Sequence, residues 1–396
     1  MAATTTTAAA APPNNNSNSN NLTLSSTTFA KLSPHPYLLA NLQPPPSDSS
    51  ASTNASTSST PHHPPPASAR ANGRQPRQAR PPNVNTSSLS HAHGSAVVRT
   101  GDTTVICGVR GETLAVSQIP NFRPASFVES SACTDELRDY DLLVPNIELA
   151  TGCAPTFLPG APPTALAQTL STRVYSLLHG SGLLDAADLR IYEKREEEEA
   201  SANNDDEGSD EGGEGGGNAT VTETAEQVKA YWVLYIDLLF ISFDGNPFDA
   251  AWAAVVAALR DARLPQAHWD PDREAVLCAR AAPPRPLRVR GLPVACTAAV
   301  FTATRDRQRR RVGGGDKNGG QYWVLVDPDR FEESLCDETV TVVVDRSTSS
   351  SRGQDDTATR ILGISKSGGT VVGPQVLRRL VGVAEERWLD FKTALG

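Results

Sequence analysis

The stretch Tyr231-Trp-Val-Leu-Tyr-Ile-Asp-Leu-Leu-Phe-Ile-Ser-Phe243 decides the fold of this chain. It is rich in aromatic and β-branched residues and is too apolar for the edge of a sheet, so it predicts a central strand. A helix start follows, with Asn246 as N-cap, Pro247 at the first helical position and Asp249 near the positive end of the helix dipole. A strand that leads directly into a helix is typical of an α/β protein.

The spacing of apolar residues predicts further helices and strands on both sides of this stretch. Residues 95–109 have the composition of a β-hairpin that turns at Gly101-Asp102, and the proline-rich loop 152–163 leads into a helix from Thr164. Four later strands are predicted at 293–301, 322–326, 339–344 and 360–364. Three helices have predicted inner faces. The face of the helix from Thr164 consists of Leu166, Leu170, Val174 and Leu177-Leu178, and that of the helix from Pro247 consists of Phe248, Trp252, Val255 and Leu259. The last helix begins at Gly373-Pro374, and its face consists of Leu377, Leu380-Val381, Ala384, Trp388 and Phe391.

Low-complexity sequence divides the chain. Residues 1–28 and 43–69 are dominated by small and polar residues and proline, which bury too little apolar surface to offset chain entropy, so both are predicted to be disordered. A short helical segment is predicted between them at 29–42. The folded part is predicted as a first lobe over 70–262, with an acidic Glu/Gly insert at 195–226, and a second lobe over 263–396, with loop inserts at 305–320 and 346–357.

The net charge of −9 is unevenly distributed along the chain. Ten acidic and no basic residues lie between Glu196 and Glu214, so the rest of the chain carries one excess positive charge. Net charge therefore argues neither for nor against an RNA partner. The six cysteines form no CxxC pair, and the sequence shows neither a secretory signal nor an apolar run of about 20 residues. These features predict a soluble intracellular protein.

His91 and His93 are the one pair of residues with metal-ligand spacing. On a strand, two side chains that are two residues apart point to the same face, as a metal pair requires. No third ligand lies near them in the sequence, so a turn or surface role is favoured. No metal and no cofactor are predicted.

Three segments carry a family resemblance. They are 83–110, preceded by Arg70-Ala-Asn-Gly-Arg74; Ile236-Asp-Leu-Leu-Phe-Ile-Ser-Phe-Asp-Gly-Asn246; and 325–345, with Asp327-Pro-Asp-Arg-Phe-Glu-Glu333 before a predicted strand. They resemble the opening hairpin, the central strand and the "DPT-EE" turn of the RNase PH family, and specifically of the ring subunits of the eukaryotic RNA exosome. The resemblance extends from about residue 70 to the C-terminus, apart from the inserts.

The resemblance implies an RNase PH-like α/β (α+β) fold, similar to ribosomal protein S5 domain 2, in which two βαβ-type halves with mixed sheets pack against helices. It implies a ring of six such subunits, capped by three S1/KH proteins, through which RNA passes to a separate hydrolytic ribonuclease. A ring subunit would support 3′-to-5′ RNA processing and degradation, including rRNA maturation and mRNA decay, in the nucleus, the nucleolus and the cytoplasm.

Catalysis by phosphorolysis needs cations that hold phosphate and acids that position a metal ion. In active family members, an arginine in a Gly-Arg-Thr-x-Glu-type run at the start of a helix holds the phosphate. Alignment through Gln168 and Arg173 puts Pro163 at the position of that arginine and Leu166 at the position of the glutamate. Neither side chain binds an anion, so the chain is predicted not to be an enzyme.

Two acids on or beside the central strand keep the opposite interpretation open. Asp237 and Asp244 have the chemistry of metal ligands, although Asp244-Gly245-Asn246 equally suits a turn and a helix cap. An active phosphate-dependent 3′-to-5′ exoribonuclease is therefore the first alternative. The second is a free-standing RNA-binding or assembly protein, which would be a stable monomer.

Several arginine and aromatic residues are candidates for contacts with RNA or with other subunits. Arg110 and Arg123, at or just after the predicted hairpin, are candidate RNA-binding residues. The five arginines between 305 and 311 can contact phosphates, but a solvated loop explains them better. Three aromatic residues in loop-like sequence are candidates for a subunit interface or, equally, for the core: Phe122, Phe127 and Phe157.

Overall fold

The computed structural model describes residues 25–43, 69–120, 122–123, 135–193, 227–303, 321–348, 357–369 and 372–396. The chain divides into two compact units, Met1–Gly73 and Arg74–Gly396. None of the helices in the described ranges is long and apolar enough to cross a membrane.

Two short helices make up most of the described part of the first unit. They are α1, Ser26–Leu32, and α2, Pro34–Leu42. The break falls at Ser33 because the residue before a proline is disfavoured in helical conformation. Phe29 of α1 contacts Tyr37 of α2 edge to face, with ring centroids 5.8 Å apart. The structure thus has two helices where the sequence suggested one helical segment.

The first sheet of the second unit contains the predicted central strand. Its strands are β1 (Pro82–Thr86), β2 (Gly94–Thr100), β3 (Thr103–Ala115), β4 (Leu143–Leu149), β5 (Arg190–Tyr192) and β6 (Val228–Ser242). The order is β1-β2-β3-β6-β4, and β5 also pairs with β6. Only β4 runs parallel to its neighbour among these described pairs. Because β6 lies between β3 and β4, the prediction of a central strand is confirmed, as is the hairpin of β2 and β3.

The second sheet is antiparallel in all of its described pairs. Four short strands precede it: β7 (Arg263–Leu264), β8 (Ala267–Asp270), β9 (Ala275–Cys278) and β10 (Arg285–Pro286). The sheet itself consists of β11 (Val294–Thr302), β12 (Tyr322–Val326), β13 (Glu338–Thr348) and β14 (Thr357–Gly368), in the order β12-β11-β13-β14. All four predicted strands are therefore confirmed.

The predicted loop insert at 346–357 is shorter than expected. Strand β13 continues to Thr348 and β14 begins at Thr357, and these two residues are paired partners. The sequence did not predict this pairing because residues 346–357 are polar or glycine and give no alternation of apolar and polar residues.

Five helices complete the second unit within the described residues. They are α3 (Asp135–Asp139), α4 (Ala165–Gly180), α5 (Pro247–Asp261), α6 (Arg330–Leu335) and α7 (Pro374–Leu395). Helix α7 packs on β11 and β13, and its buried residues Leu380, Ala384, Trp388 and Phe391 agree with the predicted inner face.

Helix α4 differs from the prediction on its first turn. Its buried residues are Ala167, Leu170, Val174 and Leu178, whereas Leu166 is 40% exposed. On the first turn of α4, the inner face is therefore formed by Ala167 and not by Leu166.

Helix α5 occupies the centre of the second unit. It packs on β2 and β3 of the first sheet and on β11 of the second, and its predicted stripe from Phe248 to Leu259 is buried. One continuous hydrophobic core joins both predicted lobes, since Val98 of β2 and Trp388 of α7 belong to the same cluster.

We predict that Gly94→Ala destabilises the protein, because β2 approaches α5 without room for a side chain. A Cβ at Gly94 would lie 2.5 Å from the carbonyl oxygen of Ala258 and from the Cα of Ala262. The expected loss in the free energy of unfolding is about 1–3 kcal/mol, measured by urea denaturation. Gly152→Ala is the control, because a Cβ there meets nothing within 4 Å. Equal stabilities would contradict this close approach.

Candidate functional site

A buried ion pair forms the centre of the candidate site. The Asp327 side chain, which is 1% exposed, accepts hydrogen bonds from the Arg80 Nε at 2.8 Å and from its Nη2 at 2.9 Å. The backbone N–H of Arg80 donates to the same carboxylate at 2.8 Å. Burial alone would raise the pKa of Asp327, but the hydrogen bonds and charge of Arg80 outweigh it and lower this pKa to about 2. The contacts with Arg80 therefore favour the charged form of the Asp327 carboxylate.

The start of α5 is attached to this ion pair through Asn246. Its Nδ2 donates to the carboxylates of Asp327 at 2.7 Å and of Asp249 at 2.9 Å. Asn246 occupies the N-cap position in the left-handed conformation, with φ 48°, but its side chain makes no capping hydrogen bond. Asn246 is thus the N-cap residue, as predicted, but its side chain does not cap the helix. The amide is used to connect two buried carboxylates, which a sequence motif for a helix start does not reveal.

Asp249 connects α5 to the second sheet. Its carboxylate accepts hydrogen bonds from the Thr297 backbone N–H at 2.8 Å and from the Thr297 hydroxyl at 2.6 Å. Burial raises the pKa of Asp249 above its ordinary value, and the hydrogen bonds from Thr297 and Asn246 oppose that rise. The expected interaction with the helix dipole is therefore accompanied by direct hydrogen bonds to β11.

Two further carboxyl groups beside the ion pair have raised pKa values. Burial raises the pKa of Glu333 to about 7, although its Oε1 accepts the backbone N–H of Asn246 at 2.7 Å. Burial and the charge of Asp329 raise the pKa of Asp244, whereas the nearby Arg80 lowers it. Clusters of acids with perturbed pKa values are typical of functional sites and of structural ion-pair networks alike.

The turn between β6 and α5 requires glycine. Gly245 has φ +77°, and a Cβ there would lie 2.5 Å from the backbone of Asp329 and Arg330. Its carbonyl accepts the Thr103 hydroxyl at 3.0 Å. The predicted turn at Asp244-Gly245-Asn246 is thus confirmed, and it brings the central strand against the segment that contains Asp327.

The loop that precedes α4 lies beside the same segment. Thr156 accepts a hydrogen bond from Arg330 at 3.3 Å, and the Phe157 ring packs on Phe243 at 6.0 Å. At the start of α4, the Pro163 carbonyl accepts the Gln168 amide at 2.9 Å. Neither Pro163 nor the exposed Leu166 offers a group that binds phosphate.

The arginines around the ion pair are already engaged. Arg74 donates to the Asp327 carbonyl at 2.9 Å and lies 3.7 Å from the Glu332 carboxylate. Arg387 donates to the carbonyl of Arg80, and Arg330 stacks over Phe243. These contacts hold the carboxylates and the backbone segments of the cluster together.

The two acids considered as metal ligands have different surroundings. Asp237 accepts a hydrogen bond from Asn146 of β4 at 3.3 Å, whereas Asp244 lies 3.3 Å from the Nη1 of Arg80. Within the described part of the chain, no three His, Cys, Asp or Glu residues are grouped as a metal site would require. The His93 Nδ1 accepts the Gly111 N–H at 2.9 Å, and burial lowers the pKa of His93, so this ring supports the opening hairpin.

The candidate RNA-binding arginines lie on the surface. Arg110 is exposed, forms an ion pair with Glu112 at 3.3 Å and lies over the Tyr235 ring. Arg123 is exposed, and its backbone N–H donates to the Tyr140 hydroxyl at 3.2 Å. The arginines of 305–311 lie outside the described residues. RNA binding by Arg110 and Arg123 stays a prediction.

Two of the candidate interface aromatics pack against the core. Phe157 is 7% exposed, and the half-buried Phe122 packs against Tyr140 and Tyr231 with ring centroids 5.9 and 6.4 Å apart. Their role in a subunit interface stays a prediction. Phe127 lies outside the described residues.

Sequence reasoning missed Arg80 and the central role of Asp327, Glu332 and Glu333. The resemblance of 327–333 to a family turn was a signal that this segment matters. It did not identify a partner for Asp327, because Arg80 lies 247 residues away in the chain.

Comparison with known proteins agrees with this architecture. Residues 78–265 match the RNase PH family, described as "3′ exoribonuclease family, domain 1". Exosome complex component rrp43 of Schizosaccharomyces pombe is 29% identical over 319 residues, which cover 81% of this chain and 87% of that protein. Exosome complex component Rrp42 of Archaeoglobus fulgidus is 25% identical over 303 residues, covering 76% and 80%. The sequence of the loop 152–163 resembles ribosomal RNA-processing protein 43 more than other members of the RNase PH family. The match to rrp43 over most of both chains confirms this resemblance.

A solved structure has the same fold. The archaeal chain described as "archaeoglobus fulgidus exosome with RNA bound to the active site" is similar with a TM-score of 0.53 and 23% identity, covering 83% of this chain and 93% of that one. Together with the family match, it confirms the predicted α/β, RNase PH-like fold class.

We predict that Asp327→Asn strongly destabilises the protein, because it leaves the buried Arg80 without its anion. Loss of one partner from a buried pair costs about 3–5 kcal/mol in the free energy of unfolding. The control is Asp102→Asn, since the Asp102 side chain is 83% exposed and its ion pair with Arg99 spans 3.6 Å. Such exposed pairs contribute about 0–1 kcal/mol. Similar urea midpoints for both variants would show that the buried pair contributes little.

We predict that Glu333→Gln changes how stability depends on pH. Burial raises the folded-state pKa of Glu333 to about 7, above its ordinary value of 4.5. As the pH rises between these two values, the unfolded state loses this proton first, so the folded state is destabilised relative to the unfolded state. Glutamine does not ionise and can still accept the Asn246 N–H. Urea denaturation at pH 5 and pH 8 should therefore favour the variant more at pH 8.

The control for this experiment is Glu386→Gln, because Glu386 is exposed on α7. Its stability relative to the unmodified chain should not change between the two pH values. A constant difference for Glu333→Gln would mean that Glu333 titrates normally in the folded protein.

Proposed function

We infer that this chain, which carries an RNase PH-like domain, is a non-catalytic structural subunit of an RNA exosome core ring. As such, it would help to form the RNA channel and support 3′-to-5′ RNA processing and degradation, including rRNA maturation and mRNA decay. The observation that carries the proposal is the match to an exosome component, rrp43, over most of the length of both chains.

The absence of catalysis is the finer part of this proposal. It is supported by Pro163 and Leu166 at the start of α4, where the family resemblance places the phosphate-binding run. It is also supported by the contacts of Arg74, Arg80 and Arg387, which are directed at carboxylates and carbonyls of the chain itself.

The proposed partners follow from the same family. They are the other RNase PH-like ring subunits, S1/KH cap subunits, RNA in the central channel and an associated hydrolytic ribonuclease. We propose a nuclear, nucleolar and cytoplasmic location, which imaging of the tagged chain would test.

The experiment is affinity purification of the tagged chain from its own cells, followed by mass spectrometry of the partners. We predict co-purification of five other RNase PH-like chains and of S1/KH proteins. A tagged chain that elutes alone as a stable monomer would instead favour a free-standing RNA-binding or assembly protein.

A second measurement tests the chain for phosphorolysis. The chain expressed alone is incubated with a single-stranded RNA in the presence and absence of inorganic phosphate, and the products are separated by chromatography. We expect no phosphate-dependent release of nucleoside diphosphates. If diphosphates appear and disappear again in Asp237→Asn or Asp244→Asn, the chain is an active exoribonuclease.

A further inference from the structure

A groove separates α4 from the second sheet. It has a volume of about 340 Å³ and lies between α4, the start of α5, and strands β13 and β14. Its apolar lining includes Leu177, Leu362 and Ile364, and Ile364 is 52% exposed. Cover of these side chains by a partner would remove apolar surface from water, which is favourable.

Arg173 forms the polar floor of this groove. Its guanidinium stacks on the Phe248 ring, 3.9 Å from the centroid, and donates to the Thr341 hydroxyl at 2.8 Å. These contacts fix the side chain in one position. Among the described residues, no carboxylate lies within the 4.0 Å of Arg173 that defines an ion pair.

The electrostatic state of Arg173 is unfavourable in the isolated chain. Burial lowers its pKa below the ordinary value, and the charge of Asp249 compensates only in part. A half-buried guanidinium has donors directed in a fixed plane, which match a carboxylate in two-pronged fashion. An incoming acidic side chain would therefore gain a preorganised partner.

Strand β14 provides a second feature of the same surface. Among the described strands it pairs only with β13, so within the described residues no strand pairs with its other edge. Exposed edges of this length are templates for an added strand, in which alternate side chains enter the neighbouring groove. Ile361, which is 47% exposed, adds apolar area next to that edge.

We propose that this groove is a docking site for an extended segment of a partner protein that places an acidic side chain against Arg173. The segment packs its apolar residues on Leu177, Leu362 and Ile364 and can pair with the free edge of β14. The proposal rests on the proposed function in one respect only, namely that the partner is another protein of the same complex.

Photo-cross-linking in the assembled complex tests the proposal. A photo-reactive benzoylphenylalanine replaces Ile364 in the tagged chain, which is expressed in its own cells, and the cross-linked peptide of the purified complex is sequenced. Leu389 of α7 is the matched control position, because it is equally apolar, is 51% exposed and does not line the groove. We expect position 364 alone to label one segment that contains Asp or Glu.

The role of Arg173 is tested in the same complex. Arg173→Gln should reduce the yield of the position-364 cross-link about tenfold or more, since it leaves the incoming carboxylate unpaired. Arg173→Lys keeps the charge and should have a smaller effect. A labelled segment without acids, labelling of this chain or of RNA only, no labelling, or a yield that is unchanged in Arg173→Gln would each overturn the proposal.

The composition of the purified complex separates this proposal from the proposed function. If ring subunits co-purify but position 364 labels none of their acidic segments, the docking site is wrong and the ring assignment stands. If position 364 labels an acidic segment of one protein that co-purifies with the chain as a stable complex, and no ring subunits are present, the docking site stands and the ring assignment fails.

Discussion

The buried pair of Arg80 and Asp327 holds together parts of the chain that are far apart in sequence. Arg80 precedes the first strand of one sheet, and Asp327 follows a strand of the other. Because the carboxylate also accepts the amide of Asn246, the start of α5 is fixed at the same point. Both side chains are buried and hydrogen-bonded to each other. Separation of the pair would leave an unpaired buried charge, which costs several kcal/mol. The position of the central helix between the two sheets depends on this arrangement.

This arrangement also limits what the site can do chemically. Carboxyl groups with raised pKa values, such as Glu333, surround the pair, and in an active enzyme they would be natural candidates for acid–base work. The arginines beside them, Arg74, Arg80 and Arg387, bind carboxylates and carbonyls of the chain itself. At the start of α4, the side chains of Pro163 and Leu166 offer no group that binds an anion. The chain thus has an RNase PH-like fold in which the described arginines beside the ion pair contact carboxylates and carbonyls of the chain itself.

Helix α4 illustrates how one element serves the core and the surface at once. Leu170 and Val174 bury its inner face, while Arg173 on an adjacent face reaches the second sheet. Its contacts with Phe248 and Thr341 keep in place a cation that forms no ion pair within the described chain. In the docking site proposed above, this cation would select an acidic partner.

The sequence alone determined the central strand, the opening hairpin and the apolar faces of α5 and α7. The spacing of apolar residues and the residue types that form turns are local properties of the chain. Tertiary structure alone decided that Leu166 is exposed, that Phe157 is a core residue, and that the side chain of the N-cap residue Asn246 binds two carboxylates. It also decided the pairing of Arg80 with Asp327. Burial and charge pairing arise between residues that are up to hundreds of positions apart, and no local pattern records which of them will meet.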